Sequence, residues 1–213
     1  MLNLIVWKIN CFCETWIRLA KRGARCTLGF MIVQLIATNR PGSNTAKVAA
    51  HVAEIYAAKG SPLDIVDLHK LPSEIFAPSS YAEKPASFAP FQEALSKAGG
   101  IVVVTPEYNG GFPGVFKYFI DMLKFPETFT GKPFTFVGLS AGMGGAVRPV
   151  EQFSTLVIYL RGILYPGTVN IPSIHGHLNE SDRLKTPEII ERLEKQADGF
   201  LKFVEKVGRQ PRL

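Results

Sequence analysis

Three short segments hold residues whose types and spacing could bind a ligand: TNRPGSNT (38–45), TPEYNGGFPG (105–114) and LSAGMGGA (139–146). The first leads from an apolar stretch into a helix-like one, and a helix start attracts anions. Its first N–H groups have no intrahelical acceptor and point outward, and the helix dipole adds partial positive charge. Thr38, Ser43, Asn44 and Thr45 add donors, and Arg40 adds a guanidinium fork matched to phosphate oxygens. The common phosphate motifs are missing from this loop: Gly42 stands alone, so there is neither G-x-G-x-x-G nor G-x-x-x-x-G-K-[ST]. Simple capping by Ser43 or Asn44, with Arg40 left in water, would use the same residues.

In the second segment, Pro106, Glu107, Tyr108, Asn109 and Gly110 follow an apolar run, and Gly110 and Gly111 would let the backbone approach a flat ligand closely. Tyr108 and Phe112 could flank an aromatic ring. A tight turn with Pro113 at a helix start explains the prolines but not Glu107-Tyr108-Asn109. The third segment contains Gly138-Leu139-Ser140-Ala141-Gly142, a literal G-x-S-x-G between strand and helix, the setting of a hydrolase nucleophile elbow. Ser140 would then be a nucleophile needing an acid and a histidine in that chain order. After Ser140 the histidines are His175 and His177, and the acid between is Glu151, on the helix directly following the loop. A serine hydrolase is therefore an alternative. His175 and His177 lack a third metal ligand nearby and read as loop residues. His51 and His69 are isolated, and Lys117 and Asp121 read as an ion pair on one helix face.

The elements that must position these loops alternate regularly. MIVQLIA from Met31 reads as a buried strand, and Ser43 to Lys59 carries Val48, Val52, Ile55 and Tyr56 at helical spacing. PLDIVDL, GGIVVVTP, KPFTFVGLS and a broken ILYPGTVNIP read as four further strands. Helices are expected over Phe91 to Ala98, Gly114 to Leu123 and Ala146 to Leu160. A closing helix is expected from Pro187 towards Val207 with Thr186 as cap. Leu71 to Pro90 reads as loop. The pattern is α/β, a doubly wound five-stranded parallel sheet with helices on both faces. Such sheets bind ligands outside the carboxyl ends of their strands, where the strand order reverses, and the three segments leave strands at those ends.

Net charge is +6, but residues 1–30 hold five basic residues against Glu14, so the remainder carries only +2. That is little for a nucleic-acid surface, and no nucleic-acid partner is expected. Cys11, Cys13 and Cys26 all lie in the first thirty residues, so the rest is not disulfide-framed and fits a reducing, cytoplasmic setting. LNLIVW is too short to span a bilayer, so no integral membrane segment is expected. The expected division is 1–30 as an N-terminal extension, disordered or a mis-assigned start, 31–208 as the domain, and 209–213 as a tail. An amphipathic surface segment built on Trp7, Phe12 and Trp16 is the other reading of the extension.

Taken in order, T-x-R-x-x-S-x-T at 38–45, P-E-Y-N-G at 106–110 running into P-G-V-x-K-x-x-I-D at 113–121, and the serine-glycine loop Ser140 to Gly145 form a pattern. From Met31 onward the chain resembles the NAD(P)H-dependent FMN reductase family of flavodoxin-like flavoproteins, which includes quinone, azo-dye and chromate reductases. It departs from the family at Asn44-Thr45, where many members place asparagine at the later position, and at Met122, which replaces a frequent tryptophan.

The resemblance implies strand order 2-1-3-4-5 and FMN as cofactor. The phosphate would lie on Thr38, Arg40, Ser43, Asn44 and Thr45, and the isoalloxazine along Pro106, Glu107, Tyr108, Asn109 and Gly110, with Ser140 and Gly142 from the third loop. The amides of Tyr108, Asn109, Gly110, Ser140 and Gly142 would donate to the flavin's pyrimidine edge. NADPH or NADH would pass a hydride through FMN to a quinone, flavin, azo or similar acceptor in a ping-pong cycle without a catalytic side chain. Arg148 could meet a dinucleotide phosphate or lie in water. A homodimer or homotetramer is expected through Gly114 to Leu123 and its neighbours, since Phe116, Tyr118, Phe119 and Met122 exceed one buried face. A non-enzymatic electron carrier is a further alternative, although such carriers dock through strongly charged surfaces and the main body carries only +2.

Overall fold

In the computed structural model, which describes residues 31–208, the apolar runs pair into a single parallel sheet. Its strands are β1 (Ile32–Ile36), β2 (Asp64–Asp67), β3 (Gly100–Pro106), β4 (Pro133–Leu139), β5 (Ile163–Leu164) and β6 (Val169–Ile171). The order is β2-β1-β3-β4-β5, with β6 also paired to β4. The fifth position is thus shared by two short segments, β5 against Pro133 and Phe134 and β6 against Val137 to Leu139. The interruption contains Pro166, which has no N–H to give to a ladder. Gln196 bridges the gap: its Nε2 donates to Phe136 O at 2.7 Å and Gly167 O at 2.6 Å. The expectations for residues 1–30 and 209–213 lie outside the described residues.

The helices are α1 (Asn44–Ala58), α2 (Ala89–Lys97), α3 (Gly114–Met122), α4 (Val147–Tyr159) and α5 (Pro187–Gly208). Successive strand residues point to opposite faces, and the core divides accordingly. Val33, Leu35, Ile101, Val103, Phe134 and Phe136 pack with residues of α2, α3 and α4. Ile32, Ile36, Val102, Val104, Val137 and Leu139 pack with residues of α1 and α5. Both faces are covered, which is why these strands are continuous apolar runs rather than alternating ones.

Between β2 and α2 the proline-rich stretch forms short 3-10 turns at Ser73–Phe76, Pro78–Tyr81 and Ala86–Phe88. These turns cover part of α3, and other apolar residues of the helix face the core. Phe116, Phe119 and Met122 are buried in the chain's own core. Tyr118 Oη donates to Ile75 O at 2.6 Å, and its ring lies 5.0 Å from Phe76 and 6.0 Å from Tyr81. Phe112 packs edge-on against Phe116 and Phe153 and is not in the lining of the cavity described below. Helix α5 starts at Pro187 as expected, but the Thr186 hydroxyl shares a 2.8 Å hydrogen bond with His177 Nδ1, while the Thr186 carbonyl accepts from Ile189 and Ile190. Lys117 and Asp121 form the expected ion pair at 2.6 Å. Among the described residues no helix is long and apolar enough to cross a membrane.

Candidate functional site

The sheet's hydrogen bonding continues one step past each strand and aligns the loops. Ala37 N donates to Val104 O at 2.9 Å, Glu107 N to Leu139 O at 3.1 Å and Ser140 N to Ile171 O at 3.1 Å. The segments after β1, β3 and β4 therefore leave the same edge side by side. Strands β1 and β3 are neighbours whose chains continue in opposite directions across the sheet, so this edge is the point of reversal. A cavity of about 360 Å³ opens there, lined by Arg40, Ser43, Asn44, Thr45, Pro106, Glu107, Tyr108 and Ser140, with Ile174 and His175 from beyond β6. Thr38 is outside the lining and meets it through the Tyr108 hydroxyl. Asn109, Gly110 and Gly142 are not part of that lining.

In the first loop, Gly42 has φ +62°, a left-handed turn suited to glycine, and the chain then enters α1. Ser43 Oγ accepts from Ala46 N at 3.2 Å, so the capping reading holds. It leaves the amides of Asn44 and Thr45 without an intrahelical acceptor, and both residues line the cavity. Capping and anion binding are therefore compatible. Thr38 braces the two loops. Its Oγ1 accepts from Arg40 N at 3.2 Å and lies 2.9 Å from Tyr108 Oη, tying the first loop to the second.

The second loop reverses through Asn109 (φ +51°) and Gly110 (φ +78°), a paired positive-φ turn for which Asn-Gly is the favoured sequence. The turn is closed by Tyr108 N donating to Gly111 O at 2.9 Å and Gly111 N to Tyr108 O at 3.0 Å. The Tyr108 amide is thus committed and cannot serve as an expected donor, while those of Asn109 and Gly110 meet no acceptor among the described residues. Glu107 is held from the other side: its Oε1 accepts from Arg148 Nη1 at 3.0 Å. Its Oε2 is buried and has no partner among the described residues. Arg148 is thus a strut between α4 and the second loop, with its side chain 68% exposed.

In the third loop Ser140 Oγ donates to Gly142 O at 2.8 Å and accepts from Gly145 N at 2.9 Å. With its amide on Ile171, Ser140 shapes the loop and has no spare donor, which corrects the expectation for its amide. The glycine of G-x-S at 138 has a packing origin: a Cβ there would lie 2.9 Å from Asn170 Oδ1 and from Gly145 O. Neither histidine is hydrogen-bonded to Ser140 among the described residues; the Ser140 hydroxyl is held by Gly142 O and Gly145 N. The hydrolase reading thus has no triad. Among the described residues no group of three His, Cys, Asp or Glu could hold a metal.

His175 is the cavity residue that the sequence reading set aside. The available signal was topological: β6 also ends at this edge, so the loop after it is a fourth candidate. The turn is fixed by Ser173 N on Gly142 O at 2.9 Å and Ile174 N on Ser140 O at 3.0 Å.

A parallel sheet whose reversal point joins an anion-ready helix start to a glycine-turned loop defines a mononucleotide-binding protein of flavodoxin-like architecture. Residues 30–176 match the family model of NADPH-dependent FMN reductases, and the chain belongs to that family. It is by that membership an NAD(P)H-dependent oxidoreductase with FMN as cofactor. A quinone reductase of Escherichia coli K12 is 28% identical over 191 residues, covering 83% of this chain and 96% of that one. A 2-hydroxy-1,4-benzoquinone reductase of a Burkholderia species is 28% identical over 138 residues, covering 63% and 72%. Among solved structures, FerB from Paracoccus denitrificans, a flavoenzyme NAD(P)H:(acceptor) oxidoreductase, superposes with a TM-score of 0.71 at 18% identity over 83% of this chain and 98% of that one. It shares the fold.

Proposed function

We propose that the cavity at the strand ends holds FMN and that the enzyme reduces a quinone-type acceptor with NADPH or NADH. The observation that carries this reading is the shared cavity itself, which brings Arg40 and the first turn of α1 together with Glu107 and Tyr108. Its donors fit the group. The amides of Asn44 and Thr45, the Ser43 hydroxyl and the Arg40 guanidinium suit a phosphate dianion. Glu107 Oε2, buried and unpaired, is an acceptor for an N–H such as the flavin ring carries, because a buried carboxylate oxygen seeks a donor.

FMN held there would supply the two-electron chemistry that links NAD(P)H to the acceptor. The protein binds, orients and shields. Thr38 and Tyr108 brace the phosphate loop against the ring loop, and Arg148 fixes Glu107. The amides of Asn109, Gly110 and Gly142 are donors for the pyrimidine edge, where charge grows on reduction. No side chain needs to act as nucleophile or general base. The quinone-reductase relatives support quinones as the acceptor class. Initial rates with NADPH and 1,4-benzoquinone, both varied, should give parallel double-reciprocal lines; intersecting lines would show that both substrates are bound at once and overturn the alternating cycle.

A further inference from the structure

We propose that His175 is an additional cofactor-binding residue, donating its Nε2–H to the FMN phosphate from a fourth loop that follows β6. This rests on the reading of TNRPGSNT as the phosphate loop. His175 lines the same cavity as Arg40, Ser43, Asn44 and Thr45. Its Nδ1 lies 3.4 Å from the side-chain nitrogen of Asn44, the first residue of α1. In the tautomer that accepts from Asn44 at Nδ1, the ring proton sits on Nε2. Nε2 has no protein partner among the described residues. The imidazole therefore stands beside the unsatisfied first-turn amides with one donor uncommitted.

The position is built. Ser173, with φ +47°, reverses the chain after β6. The next residue, Ile174, is 2% exposed and anchors the turn, and Ser173 N and Ile174 N bond to Gly142 O and Ser140 O. The electrostatics also point to a ligand. A helix N-terminus repels added positive character and favours anions, yet Arg40 and His175 both stand at the start of α1. The other charged side chain of the cavity lining is Glu107, which is paired to Arg148. The Arg40 guanidinium and the His175 Nε2–H are both donors at the positive end of a helix, and a dianion between them would accept from each.

Dissociation constants for FMN and for riboflavin, which lacks the phosphate, should be measured by flavin fluorescence quenching. The proteins compared are wild type, His175→Ala, His175→Gln and Arg40→Ala. Loss of one charge-assisted hydrogen bond should weaken FMN about tenfold in His175→Ala and leave riboflavin unchanged. The Gln amide nitrogen occupies the place of Nε2, so His175→Gln should recover most of the loss. The 31P resonance of bound FMN should move in His175→Ala and return in His175→Gln. An unchanged FMN constant in His175→Ala, or equal weakening of FMN and riboflavin, overturns the assignment. If Arg40→Ala separates the two flavins and His175→Ala does not, the phosphate loop stands and only His175 falls. If neither variant separates them, the phosphate reading falls as well.

Discussion

Tyr108 shows how one side chain serves two loops. Its hydroxyl meets Thr38 Oγ1 at 2.9 Å while its amide and carbonyl close the Asn109-Gly110 turn. Tyr108→Phe removes the bond between loops and keeps the ring. The variant should bind FMN about three- to tenfold more weakly, in line with one neutral hydrogen bond, with little change in melting temperature; fluorescence titration and a thermal scan check both. Ser140→Ala removes a bond at each side of the third loop. It should weaken FMN binding while neither it nor the wild type hydrolyses p-nitrophenyl acetate; serine-dependent ester turnover would restore the hydrolase reading. At this scale the sequence was legible where the chemistry lies in the residue type, as for Arg40, Ser43, Asn44 and Thr45. It was not legible where the chemistry lies in the main chain. Whether the Tyr108 or Ser140 amide is free depends on the φ angles of Asn109 and Gly110 and on the pairing with Ile171, which no side-chain pattern encodes.

The elements were readable to the extent that one physical period governs them. Period two across a sheet covered on both faces gave continuous runs for β1, β3 and β4, and period 3.6 gave α1 and α5. The stretch from 71 to 90 has neither period, since its prolines favour short turns, and so its cover over Tyr118 could not be foreseen. Gly138 belongs to this scale too, because it lets β4 meet the third loop and β6. Gly138→Ala drives a methyl to 2.9 Å from Gly145 O and Asn170 Oδ1, and overpacking of this kind costs about 1–3 kcal/mol, visible as a lower urea midpoint.

Helices α1 and the approach to α5 are joined by the paired Arg183 and Glu54 near His51. Burial, and then Arg183, holds His51 below its ordinary value of 6.5, against the opposing pull of Glu54 and Glu194. The unfolded chain therefore takes up a proton near pH 6.5 that the folded chain resists. Stability from this group is complete above that pH and declines as pH falls below it towards the folded value. Urea midpoints should fall less steeply between about pH 7.5 and 5.5 in His51→Gln than in wild type; equal slopes would show that His51 carries none of the effect.

For the whole molecule, strand order decides the location of the site, because reversal between β1 and β3 opens the crevice into which four loops project. Order 2-1-3-4-5 followed from the matched loops taken together and not from any one of them. Self-association was expected through α3 and its neighbours; Phe116, Phe119 and Met122 are buried within the chain and so do not themselves speak for it. The reductase assignment rests on the cavity and on family membership, and a spectrum tests it directly. Protein loaded with FMN should lose its visible flavin bands when NADPH or NADH is added without oxygen, and regain them when 1,4-benzoquinone follows. A protein that takes up no FMN, or whose bound FMN keeps its absorbance with both nucleotides, would contradict it.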